Sequence, residues 1–161
     1  MRRFLKYWLP VLIWLCVIFL GSTDALSAEH TSRFIAPFLL WLKPGMSPET
    51  IFLILIVMRK SAHVSEYAIL ALLMWRALRS SPTLRMKTSM LFGAVLFASA
   101  LFAASDEFHQ SFVKSRTPSV RDVMLDVAGA VLALLIGAIF ARRDFKKVRS
   151  TSESQFADAR L

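Results

Sequence analysis

One cysteine, Cys16, stands in the 161 residues, so no intrachain disulfide can form and no pair of thiolates can hold a metal. The 5 glycines fall in no phosphate-cradling loop, and no Gly-x-Ser-x-Gly turn occurs. Those absences exclude the nucleotide-binding loops and the serine-hydrolase elbow. Acidic residues are few, 11 against 20 Lys and Arg, and the net charge is +9. In a soluble protein such an excess would suggest nucleic acid. Here the basic residues sit beside apolar runs, where cytoplasmic membrane loops carry them, and a nucleic-acid partner is not expected.

What the chain has in abundance is apolar surface, 56% of residues and a mean hydropathy of +0.54. A helix crosses roughly 30 Å of hydrocarbon with about 20 residues at about 1.5 Å each. Segments at about 7–24, 51–75, 89–108 and 120–140 are read as spans on that criterion. The expected fold is all-α: a polytopic membrane protein, a bundle of four transmembrane helices with both termini cytoplasmic. Residues 1–141 form the transmembrane domain, and 142–161 form a basic cytoplasmic tail expected to be disordered.

Orientation follows from the positive-inside rule. With the amino terminus inside, twelve basic residues are cytoplasmic: Arg2, Arg3, Lys6, Arg76, Arg79, Arg85, Lys87, Arg142, Arg143, Lys146, Lys147 and Arg149. Five lie outside: Arg33, Lys43, Lys114, Arg116 and Arg121. The first span with its small residues Ala25 to Ala28 also fits a secretory signal. Retention is expected over cleavage, because the downstream spans already explain insertion. The outer segment Phe34 to Leu42, interrupted by Pro37, is too short to span and reads as a short helix resting on headgroups. Gly129, Ala133 and Gly137 give small residues at four-residue spacing, which lets a neighbouring helix approach closely.

The second span is the informative one, since Arg59, Lys60, His63 and Glu66 interrupt it near its middle. A Lys, Arg or Asp at that depth costs about 2.5–3.5 kcal/mol on insertion scales. Arg59, His63 and Glu66 fall at i, i+4 and i+7, so they share a face, with Tyr67 beside them. That face must meet protein or water. Asp106, Glu107, His109 and Gln110 close the third span, and Arg121, Asp122 and Asp126 open the fourth. Together with Arg116 these bring the charges near balance, which makes burial tolerable. His63 with Glu66 is expected to be the strongest pair, an imidazole oriented by a carboxylate as acid–base work requires. A divalent metal on Glu66, Asp106, Glu107 and Asp126 is the less favoured reading, because Arg59 and Lys60 compete for those carboxylates.

The run Arg59-Lys60-Ser61-Ala62-His63-Val64-Ser65-Glu66-Tyr67 resembles the first signature of VanZ-like membrane proteins. Asp106-Glu107-Phe108-His109-Gln110-Ser111-Phe112, followed by Arg116 and Asp122, resembles the second. The resemblance covers about Ile51 to Gly137. Two departures stand out: Lys114-Ser115 replaces the Pro-Gly often seen before the arginine, and Asp126 stands where members commonly carry Asn. The resemblance implies a small bacterial plasma-membrane protein with a four-helix core, from a family named for a member linked to teicoplanin resistance. It also implies kinship with membrane enzymes that work at phosphate-bearing lipid headgroups.

Two functions are therefore expected to compete. The first is an enzyme on a phosphate-containing lipid headgroup or lipid-linked cell-wall precursor, with His63, Glu66, Asp106, Glu107 and Gln110 catalytic. Arg59, Lys60, Tyr67, Arg116, Asp122 and Asp126 would then bind the substrate, with no cofactor or metal. The second is a non-catalytic membrane protein that binds an anionic lipid or a glycopeptide antibiotic through the same basic groups.

Overall fold

The computed structural model describes residues 2–24, 27–80 and 86–158, with backbone alone at 2–3, 28–29 and beyond residue 140. The described residues form five helices and no strand: α1 (Arg2–Ser22), α2 (Ala28–Leu42), α3 (Pro48–Arg79), α4 (Thr88–Gln110) and α5 (Val120–Asp158). Arg85 of the expected inner loop lies outside the described residues.

Local chemistry sets the helix starts. Ser27 opens α2 by accepting a hydrogen bond from the His30 amide at 3.3 Å, and Ser47 opens α3 the same way with Thr50 at 3.3 Å. Pro48 follows as the first residue of α3, where its missing N–H costs nothing. The turn before it needs Gly45, whose φ of 84° is left-handed. Asp122 in the first turn of α5 faces the positive end of that helix. Pro37 does not interrupt the outer segment as expected: α2 runs through it to Leu42. The α5 backbone also continues beyond the expected end of the last span, through the segment expected to be disordered, to Asp158.

Among the described residues three helices are long and apolar enough to cross a membrane, by length and composition: Phe4–Ser22, Thr88–Gln110 and Val120–Phe140. The 32-residue α3 is longer than any of them but carries its polar stripe in the middle. It packs against each of the other four helices, most extensively against α5. Its Tyr67, Leu70, Ala71 and Met74 form the core with Val95 and Ala103 of α4 and Ala130 and Leu134 of α5. Val11 and Ile18 of α1 close it.

Outside that core the usual burial pattern is inverted. Phe52, Phe97, Met124 and Phe140 point outward, each more than half exposed, while His63, Glu107, Asp122 and Asp126 are buried. A water-facing surface would reverse this, whereas lipid accepts it.

Candidate functional site

The ionisable residues gather where the middle of α3 meets the carboxyl ends of α1 and α4 and the start of α5. A cavity of about 240 Å³ opens there, and Arg59, His63, Glu66, Asp106, Gln110 and Arg116 all reach it. Part of its lining is apolar: Leu55 and Met58 come from α3 and Ile35 from α2. The i, i+4, i+7 stripe of α3 thus lies along one wall, since each step returns the side chain to the same side of the helix.

Arg59 is the unusual member. Its Nε and Nη2 are sealed from solvent and have no hydrogen-bond partner among the described residues. Arg116, 9% exposed, donates to the Gly21 carbonyl and to the Thr23 carbonyl at 3.1 Å, yet its Nε is also unpartnered. Burial, and then the nearby Arg59 guanidinium, pull Arg116 below its ordinary pKa, while Asp106, Glu66 and Asp24 oppose the shift. Two like charges face one cavity with donors unspent.

His63 is held differently from the expectation. Its Nδ1 lies 3.2 Å from Asp126 Oδ1 across the α3/α5 interface, and no hydrogen bond joins it to Glu66. The reason is the backbone of α5. Gly129, about one turn after Asp126, lies so near Val64 that a Cβ there would be built into the Val64 carbonyl oxygen, with its carbonyl carbon and Cα 3.1 Å away. That contact draws Asp126 onto the residue beside Val64. An ionised Asp126 can only accept, which assigns the proton of this contact to Nδ1. Nε2 has no hydrogen-bond partner among the described residues.

The remaining residues divide into two groups. Glu66 and Asp106 are half-buried at the cavity, and Gln110 donates to Asp106 Oδ2 at 2.9 Å. Glu107, Asp122 and Asp126 are buried beyond His63, and they do not line the cavity. Glu107 Oε2 accepts from the Ser119 amide at 2.7 Å, and Lys60 Nζ sits 2.7 Å from Asp122 Oδ1. Lys60 is therefore an ion-pair partner reaching to the surface. Tyr67 is wholly buried with its hydroxyl unpartnered, away from the cavity lining. Arg121 is exposed and does not contribute to charge balance within the cluster.

The end of α1 was not foreseen as part of the site. Besides the two carbonyls on Arg116, Trp14 Nε1 donates to the Glu66 carbonyl at 2.8 Å, and Ser22 Oγ pairs with His109 Nδ1 at 3.0 Å. Ser115 Oγ donates to Asp24. Carbonyls have no residue signature, so only the helix packing could reveal them.

Comparison with known proteins gives one match. No curated protein and no solved structure matches the chain significantly. The family model described as VanZ/LLP1 matches residues 7–141, from the first apolar helix through the last. That stretch holds every residue of the cluster, and the chain belongs to the VanZ/LLP1 family, whose apolar helices make it a membrane protein.

Proposed function

We propose that this protein is a membrane enzyme that acts on a phosphate ester at a lipid headgroup or on a lipid-linked cell-wall precursor. The observation that carries the reading is the pair of guanidiniums at the cavity with buried, unspent N–H groups. Buried guanidinium N–H groups without partners are costly, and an anionic phosphate would take up those of both side chains at once. The apolar lining by Leu55, Met58 and Ile35 suits the first part of an acyl or polyprenyl chain.

In this reading Arg59 and Arg116 hold the phosphate and offset the charge that grows as the attacking oxygen bonds phosphorus. The attacking hydroxyl yields its proton to the basic end of the site around His63 and Asp126. The ester P–O bond breaks, and the leaving oxygen takes a proton back. Asp106 and Gln110 orient the phosphate side. Reconstituted protein given phospholipids and polyprenyl phosphates is expected to turn over one class, with His63→Ala lowering the rate by about 10²–10⁴-fold. Glu66→Gln and Asp106→Asn should cut turnover while leaving lipid binding within a few-fold. Full turnover by His63→Ala, or no turnover by the wild type on either class, would overturn the reading in favour of a binding protein.

We further propose that α3 is the fourth span, with both termini cytoplasmic in the plasma membrane of a bacterium. At about 1.5 Å per residue its 32 residues exceed the hydrocarbon thickness. The α1 contacts support retention of the first span, since a cut within 25–28 would remove both carbonyls that hold Arg116. Mass spectrometry of the purified protein is expected to find α1 intact. A mature chain beginning near residue 28 would refute this.

A further inference from the structure

The carboxylates beyond His63 are not explained by the phosphate. On the cavity side Arg59 and Arg116 balance Glu66 and Asp106. On the far side, among the described residues, Lys60 on Asp122 is the one Lys or Arg set against Glu107, Asp122 and Asp126, a formal surplus of two negative charges in a buried place. His63, Glu107 and Asp122 each offer a ligand atom there, all within 4.8 Å of one another. A second observation marks the same spot: Glu107 is 6% exposed, and its Oε1 is unpartnered while its Oε2 is fixed by the Ser119 amide.

The geometry points to a divalent transition-metal site, best suited to Zn²⁺, formed by His63, Glu107 and Asp122. One divalent ion would offset two of those three carboxylates, and more than makes up for Lys60 if that side chain moves away. The pairing of His63 Nδ1 with Asp126 is the kind of outer contact that metal-bound imidazoles almost always make, and it would leave Nε2 as the ligand atom. Imidazole with two carboxylates favours Zn²⁺ over the harder Mg²⁺. Zinc ligands at about 2.0–2.2 Å from the ion sit roughly 3.3–3.6 Å apart, so the three side chains must close in by about 1 Å. Lys60, 46% exposed, occupies the open edge of the site on Asp122 and can swing outward to admit the ion. Three protein ligands leave a coordination position open, as in catalytic rather than structural zinc sites. The inference deepens the enzymatic reading above by assigning the basic end of the site to a metal-held water beside the phosphate pocket.

The test uses tag-free full-length protein in detergent, stripped with a chelator and titrated with Zn²⁺, Mn²⁺ and Mg²⁺. One Zn²⁺ per chain is expected, at least 100-fold tighter than Mg²⁺, with a rise in melting temperature. Glu107→Gln and Asp122→Asn should each weaken Zn²⁺ binding at least tenfold and remove that rise. His30→Ala and His109→Ala should bind as the wild type does. Lys60→Gln is the sharper variant, because loss of the competing cation should strengthen Zn²⁺ binding several-fold, an effect no structural role would give. Wild-type protein that takes up no Zn²⁺, or Zn²⁺ binding that Glu107→Gln and Asp122→Asn both retain, overturns the site. Lipid turnover by thoroughly metal-free protein would sink the metal but leave the enzyme. Stoichiometric Zn²⁺ without turnover would do the reverse.

Discussion

Methionine in place of Arg59 is expected to make the lipid-free protein more stable and to nearly abolish headgroup binding. Arg59 makes no ion pair among the described residues, and its Nε and Nη2 are buried without partners. Replacing buried charge by apolar side chains of similar size commonly stabilises by about 1–4 kcal/mol. In a domain of this size that raises the melting temperature by roughly 2–4 °C per kcal/mol. Two lost charge-assisted hydrogen bonds to phosphate, at about 1.5–3 kcal/mol each, would weaken binding of the lipid by at least 100-fold. Opposite signs in the two measurements are the signature of a residue kept for a ligand. A melting temperature that falls with Arg59→Met would instead make the guanidinium a structural strut and remove the main support for the phosphate reading.

That signature was partly legible beforehand. Charge at i, i+4 and i+7 in an apolar helix could be read as one wall of a site from the sequence alone, because helical periodicity and the cost of ions in lipid leave little choice. The three most apolar helices were legible for the same reason. What stayed hidden depended on contacts between distant segments. The spacing of three residues between His63 and Glu66 suggested a pair, but the nearer carboxylate is Asp126, 63 positions away. Local spacing shows which side chains share a face, whereas the approach of a second helix decides which of them meet. Arg121 shows the converse. It is adjacent to buried Asp122, yet it points outward, because neighbouring helical residues lie about 100° apart. The cavity-side charges therefore balance without it, and the far-side surplus becomes visible only in three dimensions.

The close approach that selects Asp126 rests on one missing methyl group. Gly129→Ala is expected to force α3 and α5 apart, since its Cβ would meet the Val64 backbone rather than a side chain that can rotate away. Overpacking of this kind typically costs about 1–3 kcal/mol, and rigid backbone on the other side places this case at the upper end. The melting temperature in detergent should fall by roughly 6–12 °C at about 2–4 °C per kcal/mol. Gly93 supplies the control: it is also helical, and a Cβ there meets nothing within 4 Å. Gly93→Ala should leave stability unchanged or raise it by up to about 1 kcal/mol through helix propensity alone. The site should register the difference as well. Moving α5 away lengthens the contact between His63 and Asp126, so protein carrying Gly129→Ala and still folded at low temperature should lose turnover and Zn²⁺ binding together. Lipid binding at Arg59 and Arg116, which α5 does not supply, should persist. Wild-type stability and activity in Gly129→Ala would mean that the two helices stand farther apart than this packing requires, and that Asp126 is not the partner that orients His63.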